Sequence, residues 1–197
     1  MTERSIFIGY DPRETDAFAV CRHSIRKRLS DDIPIHGIVL KDMRARGLYK
    51  RRTERKDGKL WDVISGAHMA TEFAISRFLV LHLAKERGYK GWAVFCDCDF
   101  LFFDDAARLF DALDDRYAVM CCKHEYEPSP GVKMDGQANP AYRRKNWSSL
   151  FAVNLEHPAN EALTLDVINS WPGRDLHAFK WLDDELIGEI PLDWNWL

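Results

Sequence analysis

Long apolar stretches are missing from this chain of 197 residues. No run approaches the length of a membrane span, and residues 1–5 lead into a short strand without an apolar segment of signal-peptide length. Internal repeats and low-complexity tracts are missing too. These absences argue against a membrane-spanning helix and predict a globular protein of the cytoplasm.

An excess of positive charge is also missing. The net charge is −3 and the isoelectric point is near 6.2, which gives no support for nucleic-acid binding. Hydrophobic residues make up 46% of the chain and charged residues 30%, as is typical of globular proteins. The length predicts a single domain, residues 1–197, that is large enough to bury a normal core.

The metal-ligand spacings of cysteine and histidine are absent. None of the five cysteines forms a Cys-x-x-Cys pair, and the seven histidines show no metal-ligand spacing. On strands, Cys96 and Cys98 would share one face, whereas Cys121 and Cys122 would point to opposite faces. This arrangement does not favour a zinc cluster, and we expect reduced, buried cysteines that pack as small apolar residues.

What the chain does contain is an alternation of strand and helix patterns, an order typical of an α/β fold. Strands are predicted over residues 4–10, 34–40, 92–96, 117–122, 149–155 and 190–197. Helices are predicted over residues 14–29, 69–87, 104–113 and 161–171, with a short helical turn at 182–187. We therefore expect a largely parallel sheet with helices on its faces.

The most informative segment is a buried strand that runs into two aspartates one residue apart. The apolar run that starts at Trp92 leads directly to Asp97 and Asp99. Ligands of open α/β sheets bind at the carboxyl ends of the strands. Two carboxylates there suit a divalent cation that carries a phosphate-bearing substrate, because a hard cation prefers oxygen ligands. The alternative is a polar strand end followed by helix-capping aspartates.

Four segments, taken in order, resemble the nucleotide-sugar glycosyltransferases of the GT-A fold, most closely glycosyltransferase family 8. They are residues 6–11, residues 76–78 with the aspartate motif at 95–102, residues 148–155, and residues 182–185 followed by 192–195. The resemblance implies a mixed, mainly parallel sheet. It also implies transfer of a sugar from a nucleoside-diphosphate donor, a UDP-sugar above all, to a carbohydrate, lipid-linked or protein acceptor, with retention of configuration.

The resemblance assigns roles to two groups of residues on the donor side. Asp97 and Asp99 match the family's metal motif, which holds Mn²⁺ or Mg²⁺ against the charge of the leaving pyrophosphate. Asp97 is also expected near the donor ribose. Gly9, Tyr10 and Asp11 match the turn that holds the nucleoside.

Three further residues match less specific positions. Arg77 matches an arginine that contacts the donor, although an arginine on a helix surface is an equal alternative. Asp183 and Asp184 fall where the family has Asp-Gln beneath the reacting sugar, and a carboxylate there could stabilise or attack the developing cation. The alternative for this pair is a helix start decorated with acids, which the helix dipole favours without any catalysis.

The sequence departs from the family pattern in ways that keep two other functions open. The family's C-terminal His-x-x-Gly-x-x-Lys-Pro-Trp segment, which supplies a metal ligand and a phosphate-binding lysine, does not occur in the 197 residues, and its Asn-Ser-Gly-like turn is altered at 146–149. One alternative is a non-catalytic GT-A-like domain that binds nucleotide. The other is a phosphohydrolase in which Asp97 is the nucleophile and Asp99 the acid and base.

Two polar segments complete the sequence. Residues 44–59 are strongly basic and could bind the donor pyrophosphate, a phosphorylated acceptor or an anionic membrane surface, or else form a solvated, mobile loop. Residues 123–146 are rich in Pro, Gly and charge, and we expect them to form an acceptor-side loop that orders on ligand binding.

Overall fold

A computed structural model describes residues 3–124, 144 and 146–195. The strands, numbered along the chain, are β1 (Arg4–Tyr10), β2 (Ile35–Val39), β3 (Thr53–Lys56), β4 (Lys59–Asp62), β5 (Ala67–His68), β6 (Trp92–Cys96), β7 (Val119–Cys121), β8 (Leu150–Asn154) and β9 (Ile187–Glu189). The helices are α1 (Thr15–Arg28), α2 (Leu40–Ala45), α3 (Phe73–Ser76), α4 (Val80–Glu86), α5 (Ala107–Asp111), α6 (Leu165–Ser170) and α7 (Gly173–His177). Short 3-10 turns lie at Arg77–Leu79, Pro158–Ala162, Asp184–Leu186 and Leu192–Trp194.

The main sheet has six strands in the order β2-β1-β6-β8-β7-β9. Strands β2, β1 and β6 are parallel neighbours, β8 runs antiparallel between β6 and β7, and β9 is parallel to β7. Helices flank this sheet. The predicted fold, a mixed and mainly parallel sheet in an α/β domain, is confirmed.

The centre of the sheet is buried because β6 and β8 are apolar at every position except Asn154, the last residue of β8. All residues of β6 and β8 are buried, as expected for strands that are covered on both faces. Phe95 of β6 lies opposite Phe151 of β8, and their rings are 5.5 Å apart. Phe78 and Phe179 pack on Phe151 from the helical side. This aromatic core holds the carboxyl end of β6 in place.

The helix predicted over 69–87 is interrupted, so this prediction was wrong. The segment folds as α3, a 3-10 turn and α4. All three residues of the turn, Arg77–Leu79, are buried, which one apolar face of a continuous surface helix would not achieve. The interruption thus turns the guanidinium of Arg77 into the protein.

The basic segment 44–59 contains the end of α2, all of β3 and the first residue of β4, so its second half belongs to the small sheet β3-β4-β5. Strands β3 and β4 pair in an antiparallel hairpin through Asp57 and Gly58, whose φ angles are 52° and 74°. Asp-Gly with two positive φ angles is the preferred two-residue hairpin turn. The mobile-loop alternative was therefore wrong, and the Asp-Gly pair was the signal for the hairpin.

The predictions near the end of the chain were partly wrong. The strand predicted over 190–197 is not seen in its described part, residues 190–195. There β9 has already ended at Glu189, and Pro191, which lacks an N–H donor, precedes the 3-10 turn Leu192–Trp194. The helix predicted over 161–171 is split, and α6 begins only where Thr164 caps it by accepting a hydrogen bond from the Val167 N–H. Most of the predicted loop at 123–146 lies outside the described residues. Within the described ranges, no helix combines the length and apolar character that crossing a membrane requires.

Candidate functional site

The aspartate motif lies at the carboxyl end of β6. The Asp97 N–H donates a hydrogen bond of 2.9 Å to the Ser149 carbonyl, so pairing with the β8 side continues one residue beyond the strand. Cys98 then turns into the core and is fully buried, whereas Asp99 is exposed. The two carboxylates therefore stand at a rigid strand end, which is the ligand-binding edge of an α/β sheet.

Arg77 places a fixed positive charge beside Asp97. Its Nη1 lies 2.8 Å from Asp97 Oδ1 and donates a hydrogen bond of 2.6 Å to the Ser148 carbonyl. The guanidinium also lies over the rings of Phe73 and Phe95, at 5.4 and 5.1 Å from their centres. Arg77 is therefore not a surface arginine, and it links the end of β6 to the turn that precedes β8.

The surroundings of the Asp97 carboxylate favour the binding of a cation. Arg77 Nη1 lies 2.8 Å from the buried Oδ1 as an ion pair, and no further donor among the described residues reaches this oxygen. Desolvation is the main cause that raises the pKa of Asp97 to about 6; Arg77 acts in the lowering direction and Asp99 in the raising direction. Because 22% of the side-chain surface stays exposed, a ligand can reach the carboxylate.

The residues present fit a divalent cation that shares its ligands with a substrate. The Asp97 carboxylate, which only Arg77 contacts in the salt bridges described, and the exposed carboxylate of Asp99 are hard oxygen donors. In the part of the chain that the structure describes, no group of three or more His, Cys, Asp or Glu side chains could hold a metal ion by itself. The remaining ligands would thus have to be phosphate oxygens and water, as is common for Mg²⁺.

The turn after β1 lies beside the aspartate motif. Strands β1 and β6 are parallel neighbours with Ile8 opposite Cys96, so both end at the same edge of the sheet. The Cys98 thiol donates a hydrogen bond of 3.1 Å to the Glu14 carboxylate at the start of α1, which fastens the two strand ends together. The structure therefore brings the predicted nucleoside turn and the predicted metal motif to one place.

Within this turn, Asp11 is used internally. It is fully buried and accepts hydrogen bonds from the backbone and guanidinium of Arg13 and from the Glu72 N–H. Desolvation alone would raise the pKa of Asp11, but these hydrogen bonds outweigh it and hold the pKa below its usual value. Asp11 therefore fixes the turn. Arg13 and Glu72 had no assigned role, and nothing in the local sequence pattern indicated that they meet Asp11.

Gly9 and Tyr10 complete the turn in different ways. A Cβ atom on Gly9 would lie 2.5 Å from the ring of Phe73, so only glycine lets α3 approach β1 this closely. Tyr10 is half-buried; its hydroxyl contacts the Thr15 hydroxyl at 3.3 Å, and its ring meets Phe18 edge-on. Tyr10 is thus the side chain of this turn that a ligand can reach.

The loop that carries Asp183 and Asp184 is tied to the turn before β8. Arg144 donates hydrogen bonds to the carbonyls of Ala178 and Phe179 and to the carboxylate of Asp184. Both aspartates are exposed, and Asp183 precedes the 3-10 turn without making a side-chain capping hydrogen bond. The alternative of a helix start decorated with acids therefore stays open, because Asp183 precedes the 3-10 turn and Asp184 lies in its first turn, where Arg144 also contacts it.

His177, which the sequence did not single out, makes a second connection to the turn before β8. Its Nδ1 lies 2.6 Å from the Ser148 hydroxyl, and its ring meets Phe78 edge-on. Burial, with a smaller contribution from Arg77, lowers the pKa of His177 to about 3, so the imidazole is neutral at physiological pH. Asn195 adds a third tie, a hydrogen bond of 2.9 Å from its amide to the Ser149 hydroxyl.

Two clefts open at opposite ends of the main sheet. The larger, about 600 Å³, lies at the amino ends of β1 and β6 and is lined by residues such as Arg4 and Trp92. The smaller, about 350 Å³, directly follows Asp99 and is lined by residues 100–104 and by Trp194. The smaller cleft adjoins the candidate site because residues 100–104 directly follow Asp99. It lies at the carboxyl end of β6, which is the end where α/β sheets bind ligands.

The chain is related to a plant protein. No model of a known protein family matches it. It is 47% identical over 192 residues to Protein CDI of Arabidopsis thaliana, an alignment that covers 98% of this chain and 68% of that protein.

Solved structures with a similar fold are glycosyltransferases. The bifunctional glycosyltransferase WbbM superposes with a TM-score of 0.60 at 15% identity, over 98% of this chain and 39% of WbbM. The glycosyltransferase GlyE of Streptococcus pneumoniae TIGR4 gives 0.57 at 13% identity, over 99% of this chain and 47% of GlyE. A glycosyltransferase involved in glycosylation of the major capsid of PBCV-1 gives 0.55 at 9% identity, over 96% and 82%. The chain thus spans less than half of WbbM and GlyE and shares their fold.

Proposed function

Since this chain belongs to the family of Protein CDI from Arabidopsis thaliana and folds as glycosyltransferases do, we propose that it is a divalent-metal-dependent glycosyltransferase. The donor is a nucleoside-diphosphate sugar, a UDP-sugar above all, and the transfer retains configuration, as the resemblance to glycosyltransferase family 8 implies. The observation that carries the proposal is the Asp97 carboxylate, whose buried Oδ1 pairs with Arg77 but accepts no well-directed hydrogen bond from the described residues, beside the exposed carboxylate of Asp99.

The donor side of the reaction follows from the charges at the end of β6. Asp97 and Asp99 would hold Mn²⁺ or Mg²⁺, which supplies neutralisation of the charge that develops on the leaving pyrophosphate. Arg77 adds a positive charge that needs no rearrangement, because backbone carbonyls and two aromatic rings already fix it. Tyr10, the accessible side chain of the β1 turn, would contact the nucleoside.

The acceptor side is proposed along the other wall. Asp183 and Asp184 would lie beneath the reacting sugar, where a carboxylate stabilises or attacks the oxocarbenium-like centre. Arg144 binds Asp184, which leaves Asp183 as the better candidate for direct contact with the sugar. The 350 Å³ cleft beyond Asp99 has room for part of a carbohydrate, lipid-linked or protein acceptor.

The proposal is tested by measuring UDP affinity by calorimetry with and without Mn²⁺ in Asp99→Ala. We expect loss of the metal-dependent part of UDP binding with an unchanged circular dichroism spectrum. Asp111→Ala is the matched control, because Asp111 is an exposed aspartate that pairs with Arg4 at the far end of the sheet. Equal UDP affinity in wild type and Asp99→Ala would remove the metal assignment.

Turnover separates this function from the two alternatives. A panel of nucleotide sugars should give donor hydrolysis or transfer that depends on Mn²⁺. UDP binding without turnover of any donor would instead indicate the non-catalytic nucleotide-binding domain. Metal-dependent hydrolysis of a generic phosphate ester, abolished in Asp97→Ala, would indicate the phosphohydrolase.

A further inference from the structure

Positive charge is concentrated in one segment of an acidic chain. Residues 44–59 contain eight Arg and Lys and two acidic residues, a net charge of +6. The other residues contain 20 Arg and Lys and 29 Asp and Glu, a net charge of −9. Acidic partners neutralise three of the cations in residues 44–59, since Arg46 pairs with Glu86, Arg51 with Asp62 and Arg52 with Glu54. The local positive field is therefore strongest at the hairpin end, where Lys56 and Lys59 are exposed.

The small sheet gives this segment two different faces. Directly opposed residues of an antiparallel pair share a face, so Glu54 and Trp61, Lys56 and Lys59, and their neighbours Arg52 and Val63 lie on one side. Asp62 lies on the other side and is buried against the main domain. We call the first side the outer face, defined by residues 52, 54, 56, 59, 61 and 63.

The inner side fastens the sheet firmly to the domain. Arg51 is fully buried and forms an ion pair with Asp62, while its Nη1 donates hydrogen bonds of 2.8 Å to the carbonyls of Ile168 and Trp171. The Ser65 N–H and hydroxyl also donate to Asp62. The outer face therefore sits on a rigid platform, which lowers the conformational cost of binding an extended surface.

The outer face and its edge combine cations with exposed apolar side chains. Lys56 lies 3.8 Å from the centre of the Trp61 ring, and Lys59, which is opposite Lys56 in the hairpin, is exposed. At the opposite end, after β4, Val63 and Ile64 are 39% and 38% exposed. The Val63 N–H donates to the Arg52 carbonyl, so the apolar pair continues the same hairpin.

We propose that the outer face and the Val63–Ile64 bend form a docking surface for an anionic lipid membrane. Anionic headgroups attract the cations, Trp61 suits the boundary between headgroups and acyl chains, and the two aliphatic side chains can enter the hydrocarbon edge. A soluble phosphate ligand is less suited to this surface, because the cations are spread along an exposed hairpin and do not converge on a pocket. The inference does not depend on the proposed glycosyl transfer.

The experiment is co-sedimentation of the protein with vesicles of phosphatidylcholine alone and of phosphatidylcholine with 30% phosphatidylserine (on the order of anionic leaflet content). We expect binding to the anionic vesicles, weakened when salt rises from about 0.1 M to about 1 M because the screening length falls roughly threefold. Equal binding to both vesicles, or binding to neither, would overturn the proposal.

Variants test which residues carry the attraction. In Lys56→Gln/Lys59→Gln, which removes both lysines of the outer face, we expect about 25-fold weaker binding to anionic vesicles, since each cation near such a surface contributes about fivefold. Arg26→Gln/Lys27→Gln is the matched control, because it removes two exposed cations from α1. In Val63→Ser/Ile64→Ser we expect about tenfold weaker binding. This loss should be the same at low and high salt, because the contacts removed are apolar.

Two results would contradict the assignment. If the α1 control weakens binding as much as the hairpin variant, attraction is a property of overall charge and not of this surface. If millimolar inorganic pyrophosphate releases the protein completely from the vesicles while equal ionic strength of chloride does not, the segment is a site for a small phosphate ligand. Circular dichroism of each variant confirms folding, and the wild-type comparison of vesicles stands even if a variant unfolds.

Discussion

Arg77 is the residue on which the candidate site depends most. Its guanidinium makes three kinds of contact at once: it faces the Asp97 carboxylate, donates to the carbonyls of Ala74 and Ser148, and stacks between aromatic rings. A lysine has the same charge but only one nitrogen. The geometry of the guanidinium, more than its charge, is therefore what this position requires.

We expect Arg77→Lys to lower the free energy of unfolding by about 1.5–3 kcal/mol, because hydrogen bonds of a charged donor to buried carbonyls are lost. UDP affinity should fall as well. Urea unfolding and calorimetry measure the two effects. Arg116→Lys, at an exposed arginine paired with Asp114, is the control and should leave both quantities nearly unchanged.

The two aspartates of the predicted reacting side are expected to differ. Asp183→Asn should reduce turnover by more than about tenfold, or ~1.4 kcal/mol of barrier, with little effect on donor affinity, since a carboxylate facing the sugar acts mainly in the transition state. Asp184→Asn should affect stability first, because it weakens the pairing with Arg144. Kinetics and donor affinity of both variants test this. A loss of less than tenfold in both would move the reacting side elsewhere.

Among the elements, the small sheet depends on one buried ion pair. Burial by itself would raise the pKa of Asp62, but hydrogen bonds from Arg51 and Ser65 outweigh it and hold the pKa below the ordinary value of 3.8. A lowered pKa means that the folded state binds this proton less readily than the unfolded state does. The stability that the ionised Asp62 carboxylate contributes is therefore complete above about pH 4, and it is lost as the pH falls below that value.

We expect Asp62→Asn to reduce the free energy of unfolding by about 3–5 kcal/mol at pH 7, because it leaves the buried guanidinium of Arg51 uncompensated. The difference in the free energy of unfolding between wild type and Asp62→Asn should decrease as the pH falls below about 4. Denaturant titrations at pH 7 and pH 3 measure it. Asp104→Asn, which breaks an exposed pair with Arg108, should have little effect at either pH, and an equal loss there would contradict the role of burial.

The sequence predicted well those elements whose own residues determine them. The continuous apolar run from Trp92 could only be a buried strand, and β1 over Arg4–Tyr10 was predicted to its last residue. The break at Arg77–Leu79 was missed because it depends on the Asp97 contact, which no local pattern reveals. The hairpin was missed for another reason, since the charges around Asp57 and Gly58 outweighed the turn signal.

The candidate site was predictable in position and not in its contacts. Asp97 and Asp99 follow a strand, and strand order alone brings them beside the β1 turn. The internal use of Asp11 by Arg13, and the buried neutral His177 against Ser148, arise from tertiary packing. The roles proposed for all of the site residues stay predictions: Gly9, Tyr10, Asp11, Arg77, Asp97, Asp99, Asp183 and Asp184.

At the scale of the whole molecule, ligand binding should appear as stability. A ligand that binds only the folded state adds about 2.7 kcal/mol when present at 100 times its Kd. For a protein of this size each kcal/mol raises Tm by about 2–4 °C, so we expect a rise of roughly 5–11 °C with UDP and Mn²⁺ together. Differential scanning fluorimetry should show this rise, and a much smaller one with UDP plus EDTA. A rise independent of Mn²⁺ would contradict the role of the metal.

The pairing of β7 with β9 also affects how the protein is made. Val119 of β7 lies beside Ile187 of β9, so a ribosome must pass residue 189 before β7 can gain its outer neighbour. Until then the nascent chain presents a strand edge with unpaired N–H and C=O groups to any other chain nearby. The sheet is thus completed only after residue 189 has been made, and pauses in translation between these strands prolong the interval in which chaperones must protect that edge.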